Sequence, residues 1–437
     1  MNQIPLSFGQ LRLWLLDQID GPSPAYNIAR TFNIHGPLDV AALDAAIADV
    51  VRRHESLRTV FALHEGEAIQ QVLPDTAGAS VLEVRDINEA ELAQAVAEAS
   101  SYCFDLGRDL PLRASLFRRS EQEHVLVLLL HHIAGDGWSL GPLLRDLALA
   151  YEARSRGQEP AWVPLPVQYA DYTIWQKEVL GDEADPTSPI AAQLGYWRNA
   201  LAGLPEQLDL PYDRPRPVTP NHRGERVNIQ FDAALHTKLM ALAKEGKASL
   251  FMVLQAGLSA LLTRLGAGTD IPLGSPIAGR TDVALDNLVG FFVNTLVLRT
   301  DTSGNPSFHD LLARVREQDL AAYSNQDLPF ERLVEVLNPP RSFSRHPLFQ
   351  VMLVLQNNAQ SRFDLPGLSL TRFKGEGTQT AKFDLSFSFS EARDAEGQPK
   401  GLSGRIEYAT DLFDRQTVEA IAARLERIFQ AVVADPA

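Results

Sequence analysis

The stretch His131-His132-Ile133-Ala134-Gly135-Asp136-Gly137-Trp138-Ser139 concentrates residue types that do acid–base chemistry. It follows Val125-Leu126-Val127-Leu128-Leu129-Leu130, a short continuous apolar run that reads as a strand buried on both faces. Two glycines flank Asp136, the pattern of an irregular turn in which glycine tolerates backbone angles other residues avoid. A rigid strand that delivers a histidine into a loop is one way to hold a catalytic base, because positioning contributes as much as basicity.

Three chemistries use such a pattern. A metal site wants several ligands on one side, but adjacent strand residues point to opposite faces, so His131 and His132 diverge and the other ligands must come from elsewhere. A Ser-His-Asp hydrolase needs an exposed nucleophile, and the chain has no Gly-x-Ser-x-Gly elbow. In the third, one histidine acts as a base or proton-positioning group on a nucleophile brought by a substrate, with no enzyme-bound intermediate. His132, nearer the loop, then faces a cavity, His131 faces the body of the domain, and Asp136 fixes local geometry through an ion pair. A pair of purely structural histidines is the alternative.

The elements that must position these residues are legible from periodicity. Leu6 to Leu15 has apolar residues at helical spacing with Ser7 as N-cap. Leu38 to Arg53 is a helix striped by Leu38, Leu43, Ile47, Val50 and Val51, running into a charged cluster, Arg53 to Arg58, that fastens a helix to a short strand. Ser139 to Arg156 reads as the helix after the motif, and Tyr169 to Gln176 as an aromatic helix bridging two halves. Later come a strand at Val227 to Phe231, helices at Ser249 to Leu265 and Ser307 to Tyr323, and a strand from Ile271 turning at Gly279-Arg280. A loop and β-rich segment at Val289 to Arg299, strands at Phe349 to Leu355 and Phe383 to Phe389, and a terminal helix from Arg415 to Val433 complete the reading.

A chain of 437 residues exceeds one ordinary core, so two domains are expected. Proline-rich segments at Pro160 to Pro166 and Gly181 to Pro189 have linker composition and place the boundary near residue 177, giving domains 1–176 and 177–437. A net charge of −15 argues against a nucleic-acid partner, and Arg113, Arg118 and Arg119 read as a solvated face. The apolar runs are far shorter than the roughly 20 residues a membrane span requires. The opening residues lack the regions of a secretory leader, so a cytoplasmic location and no membrane association are expected. The single Cys103 rules out an internal disulfide.

The stretch His131 to Gly137 resembles the third motif of the condensation domains of nonribosomal peptide synthetases, within the group similar to chloramphenicol acetyltransferase. The other family motifs occur in order. Ser7 to Leu15 resembles the first, with Gly9 where the family more often has alanine, Arg53 to Phe61 the second and Tyr169 to Gln176 the fourth. Val289 to Arg299 resembles the fifth, Asn325 to Glu331 the sixth, and Arg341 to Leu348 the seventh, with His346 in place of the usual asparagine.

The resemblance implies an α/β fold of two chloramphenicol acetyltransferase-like lobes forming a V, with the active site in a tunnel between them. Floor-loop and latch crossovers at Val289 to Arg299 and Lys374 to Phe389 are implied as well. It further implies that His132 is catalytic, that His131 is structural, that Asp136 pairs with Arg280, and that the Gly137 backbone amide faces the reacting thioester. No metal and no intrinsically bound cofactor are implied. Substrates would arrive as thioesters on the 4'-phosphopantetheine arms of donor and acceptor peptidyl carrier proteins, beside a neighbouring adenylation domain, with the excised domain monomeric. The implied reaction is attack of the acceptor amine on the donor thioester carbonyl. Heterocyclising relatives have aspartate in place of the first histidines, and epimerising relatives differ from Gly137-Trp138-Ser139. The stretch His131 to Leu144 and the insert Gly181 to Trp197 are most similar to domains that accept a donor ending in a D-residue. A free-standing acyltransferase acting on a soluble amine or alcohol and a non-catalytic carrier-recruiting domain are the alternatives.

Overall fold

The structure is a computed structural model that describes residues 4–78, 81–340, 342, 344–356, 363–373 and 380–437. The described chain forms two compact units. The first comprises Met1–Gly181, Ala278–Val293 and Asn358–Gly375, and the second Asp182–Ile277, Asn294–Asn357 and Glu376–Ala437. Positions 341 and 343 of the seventh motif, and residues 374–379 of the second expected crossover, lie outside the described residues.

In the first unit a five-stranded sheet runs in the order Ser369–Arg372, Asn27–His35, Glu123–His131, Leu112–Arg118, Leu82–Asp86. The histidine strand, Glu123–His131, is central, and every residue from His124 onward is buried. Alternation sorts its side chains between two layers. Val125 and Val127 pack with Leu92 and Val96 of the helix Glu89–Ser100. Leu126, Leu128 and Leu130 join Leu43, Ile47, Leu143 and Leu147 of the helices Val40–Arg53 and Leu140–Arg154. A strand covered on both faces needs no polar side chains, which is why this run is continuously apolar.

The second unit has a six-stranded sheet in the order Asn294–Asp301, Asp270–Ile277, Val351–Gln356, Leu385–Arg393, Pro399–Ala409, Gly224–Phe231. Its core is aromatic, with Phe231, Phe387, Phe389 and Phe429 fully buried beside Leu254 and Leu258 of the helix Leu250–Arg264. The segment read as linker, Gly181 to Pro189, is free of helix and strand up to Ser188, which caps the helix Pro189–Ala200. Its Trp197 Nε1 donates to the Asn325 carbonyl at 2.8 Å, and Asn294 Nδ2 donates to the carbonyls of Gln326 and Leu328 at 2.9 and 2.8 Å, so the sixth motif is a turn held from both sides. His346 packs its ring among Phe330, Phe349 and Phe383.

Arg118 and Arg119 pair with Asp86 and Glu89, and Arg113 lies near Glu83 and over the Tyr102 ring, so the three arginines of the expected solvated face are partly exposed and have carboxylate neighbours of their own. Among the described residues no single helix is long and apolar enough to cross a membrane.

Candidate active site

The histidine strand ends at His131, and His132 begins a single 3-10 turn, His132–Ala134. The chain therefore bends between the two histidines, and their divergence comes from the bend as well as from strand alternation. His131 is buried, its Nδ1 accepts from the Ile133 amide at 3.1 Å, and its ring meets Phe104 edge-on at 5.6 Å. In a neutral ring that acceptor role leaves the proton on Nε2. His132 is half-buried, and its ring packs edge-on against Phe291 with centroids 5.7 Å apart.

Neither motif glycine needs a left-handed backbone, contrary to the expectation from the turn pattern. Gly135 is required by packing, because a Cβ there would lie 2.5 Å from Cδ2 of Leu130. Gly137 is exposed, with open space where a side chain would be.

Asp136 is fully buried and faces away from solvent into a backbone clamp. With Ser139 it forms a reciprocal cap: the Ser139 amide and hydroxyl donate to Asp136 Oδ1, each at 2.8 Å, while the Asp136 amide donates to Ser139 Oγ at 3.2 Å. Oδ2 accepts the amides of Phe292 at 2.9 Å and Val293 at 3.1 Å. Arg280 stands beside this carboxylate, Nη2 to Oδ1 at 3.7 Å, and its closer contacts are Ser139 Oγ at 3.1 Å and the carbonyl of Leu285. The ion pair expected for Asp136 is thus the outer partner of a carboxylate already satisfied by four N–H and O–H donors. Burial lowers the Arg280 affinity for its proton, and Asp136 opposes that shift.

The segment from Ala278 to Val293 is pinned at successive peptides. The Val289 amide donates to His54 Nδ1 at 3.4 Å and its carbonyl accepts from Ser56 Oγ at 2.7 Å. The Gly290 amide and carbonyl both meet Ser139 Oγ, at 3.2 and 2.8 Å. The Phe291 carbonyl accepts from the Tyr169 hydroxyl at 2.7 Å, and that hydroxyl also meets Ser7 Oγ at 2.8 Å. Gly279 permits the close fold of the segment: its φ is +65°, and a Cβ there would collide with the Phe292 carbonyl.

Desolvation dominates the titration of the pinning groups. It pushes Tyr169 well above a free tyrosine, so the hydroxyl stays a proton donor. It also lowers His54 despite the carboxylate of Asp146 at 3.0 Å from Nε2. Asp146 is shared with Arg53 Nε at 2.8 Å and Arg145 Nη2 at 2.8 Å. The charged cluster of the second motif ties Arg53 and His54 to Asp146 and, through His54, also anchors Val289, a role its composition did not indicate.

Five groups thus carry work that sequence reasoning left unassigned: Ser139, Tyr169, His54, Ser56 and Phe291. Only Ser139 had a readable signal, the three-residue spacing from Asp136 that marks a reciprocal cap. Tyr169, His54 and Ser56 are joined to the 278–293 segment, and Phe291 of that segment to His132, by contacts across more than a hundred residues of sequence.

A central buried strand that ends at His131, with His132 in the turn beyond it and Asp136 clamping a distant segment beside them, defines a domain that presents one histidine at the end of a rigid element. The chain belongs to the condensation domain family, whose model matches residues 1–437. It is 56% identical over 433 residues to a probable non-canonical nonribosomal peptide synthetase, CymA, of Salinispora arenicola, covering 99% of this chain and 6% of that protein. It is 55% identical over 436 residues to a dimodular nonribosomal peptide synthase of Bacillus subtilis, covering 100% of this chain and 18% of that protein. The chain therefore spans a small part of the curated relatives it matches. Among solved structures it is similar to the X-domain from teicoplanin biosynthesis in complex with OxyB. The TM-score there is 0.91 at 38% identity, covering 100% of this chain and 94% of that one.

Proposed function

We propose that the domain forms an amide bond between two thioesters carried on the phosphopantetheine arms of donor and acceptor carrier proteins. The acceptor amine attacks the donor carbonyl, a C–N bond forms as the C–S bond breaks, the amine gives up one proton, and the donor arm leaves as a thiol. Thioesters are already activated, so the domain must chiefly align the reactants, stabilise charge at the carbonyl oxygen and manage that proton. His132 takes or positions the proton, the exposed Gly137 amide faces the thioester, and His131, Asp136 and Arg280 hold the turn in place. The observation that carries this reading is the partly buried His132, placed in the turn directly after a buried strand and beside a segment pinned peptide by peptide.

In this proposal residues 1–176 and 177–437 are two chloramphenicol acetyltransferase-like lobes, and an adenylation domain is a neighbour. The domain works in the cytoplasm, without intrinsic cofactor or metal, and as a monomer when excised. The similarity of His131 to Leu144 and of Gly181 to Trp197 further assigns it donors ending in a D-residue. Turnover of matched D- and L-ended donor thioesters tests that assignment, and preference for L would remove it.

The test of the main reading is His132→Ala with carrier-loaded donor and acceptor. Amide formation is expected to fall by two orders of magnitude or more, and an undiminished rate would overturn the assignment. The likeness to a domain solved with OxyB favours one second reading, recruitment of a partner protein without catalysis. It is distinguished by the same assay, since wild-type amide formation would be absent.

A further inference from the structure

The helix Phe8–Asp20 turns Gln10, Leu13 and Trp14 into the core and leaves Leu11 and Leu15 exposed. The three-and-four spacing of the buried residues is that of an apolar stripe, so an amide stands where packing calls for a hydrocarbon. Gln10 is only 1% exposed, and a buried amide costs free energy unless its hydrogen bonds are made. Both ends of this one are used. Oε1 accepts the Ser7 amide at 3.0 Å, and Nε2 donates to the Ile133 carbonyl at 3.5 Å across 123 residues of sequence.

The first bond completes the capping box of the helix, which an exposed side chain would complete as well, so it does not explain the burial. The second lands on the turn that presents His132. Within that turn the His132 carbonyl accepts from the Gly135 amide at 3.2 Å and the Ile133 amide donates to His131 Nδ1 at 3.1 Å. The peptide after His132 is therefore held by local partners, and the next peptide is held by Gln10. Ser7 carries the connection the other way. Its Oγ accepts the Gln10 amide at 3.2 Å and meets the Tyr169 hydroxyl at 2.8 Å. Because Tyr169 spends its one proton on the Phe291 carbonyl, Ser7 is the donor between the two hydroxyls. A path of hydrogen bonds thus runs from Ile133 through Gln10, Ser7 and Tyr169 to Phe291. The bonds from Asp136 to Phe292 and Val293 close it into a ring around His132.

We propose that Gln10 is a positioning residue for the transfer reaction, its side-chain amide tying the turn that carries His132 to the segment that carries Phe291. The proposal rests on the reading of His132 given above. Gln10 is shielded from solvent and acts through the backbone of Ile133, so that the imidazole and the ring it packs against keep one relative placement.

The test uses the intact chain with carrier-loaded substrates: wild type, Gln10→Met, Tyr169→Phe and the double variant, with His132→Ala as control. Methionine matches glutamine closely in length and volume but has no N–H to give, and Gln10→Leu serves in the same way should the methionine variant not fold. At temperatures well below the melting transition, Gln10→Met is expected to lower kcat by about tenfold with KM little changed, since misplacement of a reacting group costs rate more than affinity. The double variant is expected to be no slower than the slower single one, because a ring already opened loses little at a second break. Selectively labelled histidine gives a readout that a loss of helix capping alone would not move. The His132 ring resonances, assigned by their loss in His132→Ala, should shift in both single variants. An unchanged kcat in Gln10→Met, unmoved resonances, or losses that multiply in the double variant overturn the proposal while His132→Ala remains inactive. An active His132→Ala would remove the underlying reading and the proposal with it.

Discussion

The carboxylate of Asp136 and the backbone amide of Phe292 are joined at 2.9 Å across 156 residues of sequence. That bond, with its neighbour to Val293, fastens the segment from Ala278 to Val293 to the turn that presents His132. Asp136 therefore acts on the distant loop, and its effect on His132 runs through the backbone rather than through the imidazole.

Asp136→Asn tests this division. An amide nitrogen would face either the Ser139 donors or the Phe292 and Val293 amides, and Arg280 would lose the carboxylate beside its guanidinium. Breaking a buried charged network of this kind costs about 3 kcal/mol or more. The variant should unfold at lower urea concentration by a corresponding margin and lose at least about tenfold in turnover. A stability change below about 1 kcal/mol would show that the carboxylate is not the clamp.

His54 gives a pH dependence of definite sign. Its ring is buried and neutral, Nε2 toward Asp146 and Nδ1 accepting from Val289, and burial places its folded value below 6.5. The unfolded chain binds a proton near pH 6.5 that the folded chain resists, so the stability contributed by neutral His54 is complete above pH 6.5 and lost as the pH falls below it. His54→Ala should be less stable at pH 8 and show a shallower loss of stability between about pH 6.5 and 5 than the wild type. Parallel profiles would remove the assignment. The freed Val289 peptide should also lower turnover, although His54 touches no reacting atom.

The sheet that carries the histidines was legible in the sequence because a strand covered on both faces must be apolar throughout, and Val125 to Leu130 is. Several helices were legible from their stripes, and Ser7 and Ser249 mark starts that the structure keeps, whereas Glu89–Ser100 and Ala233–Glu245 were not read. Two other kinds of feature also escaped. Short edge strands such as Ser369–Arg372, exposed on most of their length, carry too little alternation to announce themselves. The clamp on the 278–293 segment is built from backbone groups, and an amide or carbonyl leaves no trace in residue type. Arg280 was found through family resemblance, whereas Tyr169 and His54 were visible only as members of motifs, and their partners emerged with the fold.

Asp319 in the second unit titrates in the opposite sense. It is fully buried, one carboxylate oxygen accepts from Gln255 Nε2 at 3.0 Å, and burial raises it from 3.8 to about 7. Its other oxygen and the Gln255 carbonyl oxygen have no hydrogen-bond partner among the described residues. Between about pH 4 and 7 the folded state holds a proton that the unfolded state has released, so stability falls as pH rises through that window. Asp319→Asn, uncharged at every pH, should match the wild type near pH 4.5. At pH 8 it should exceed the wild type by a few kcal/mol, since each tenfold change in proton affinity is worth about 1.4 kcal/mol. Urea midpoints at the two pH values decide it, and a difference that does not change with pH would sink the idea. Because His54 and Asp319 have opposite slopes, the wild-type profile alone cannot separate them, and each variant must be compared with the parent.

Tyr169→Phe isolates the last link in the chain from the first motif to the fifth. The ring would keep its packing against Tyr172 and Phe292, with centroids 5.4 and 5.0 Å away, so core volume is conserved. The hydroxyl alone is lost, leaving the Phe291 carbonyl without its donor and Ser7 Oγ without a partner it now meets at 2.8 Å. One buried unsatisfied carbonyl costs about 1–3 kcal/mol, less than the loss of the Asp136 charge network. The consequence for catalysis follows from where the slack appears: Phe292 and Val293 remain tied to Asp136, so the peptide that loosens is the one carrying the ring against His132. Turnover should therefore fall several-fold at unchanged KM even at temperatures well below the melting transition. The combination with Phe291→Ala should add little, because once the ring is gone the carbonyl has nothing to aim. Additive losses in kcat would mean that Tyr169 supports the site by another route, and thermal melts run beside the kinetics keep that conclusion separate from a general loss of stability.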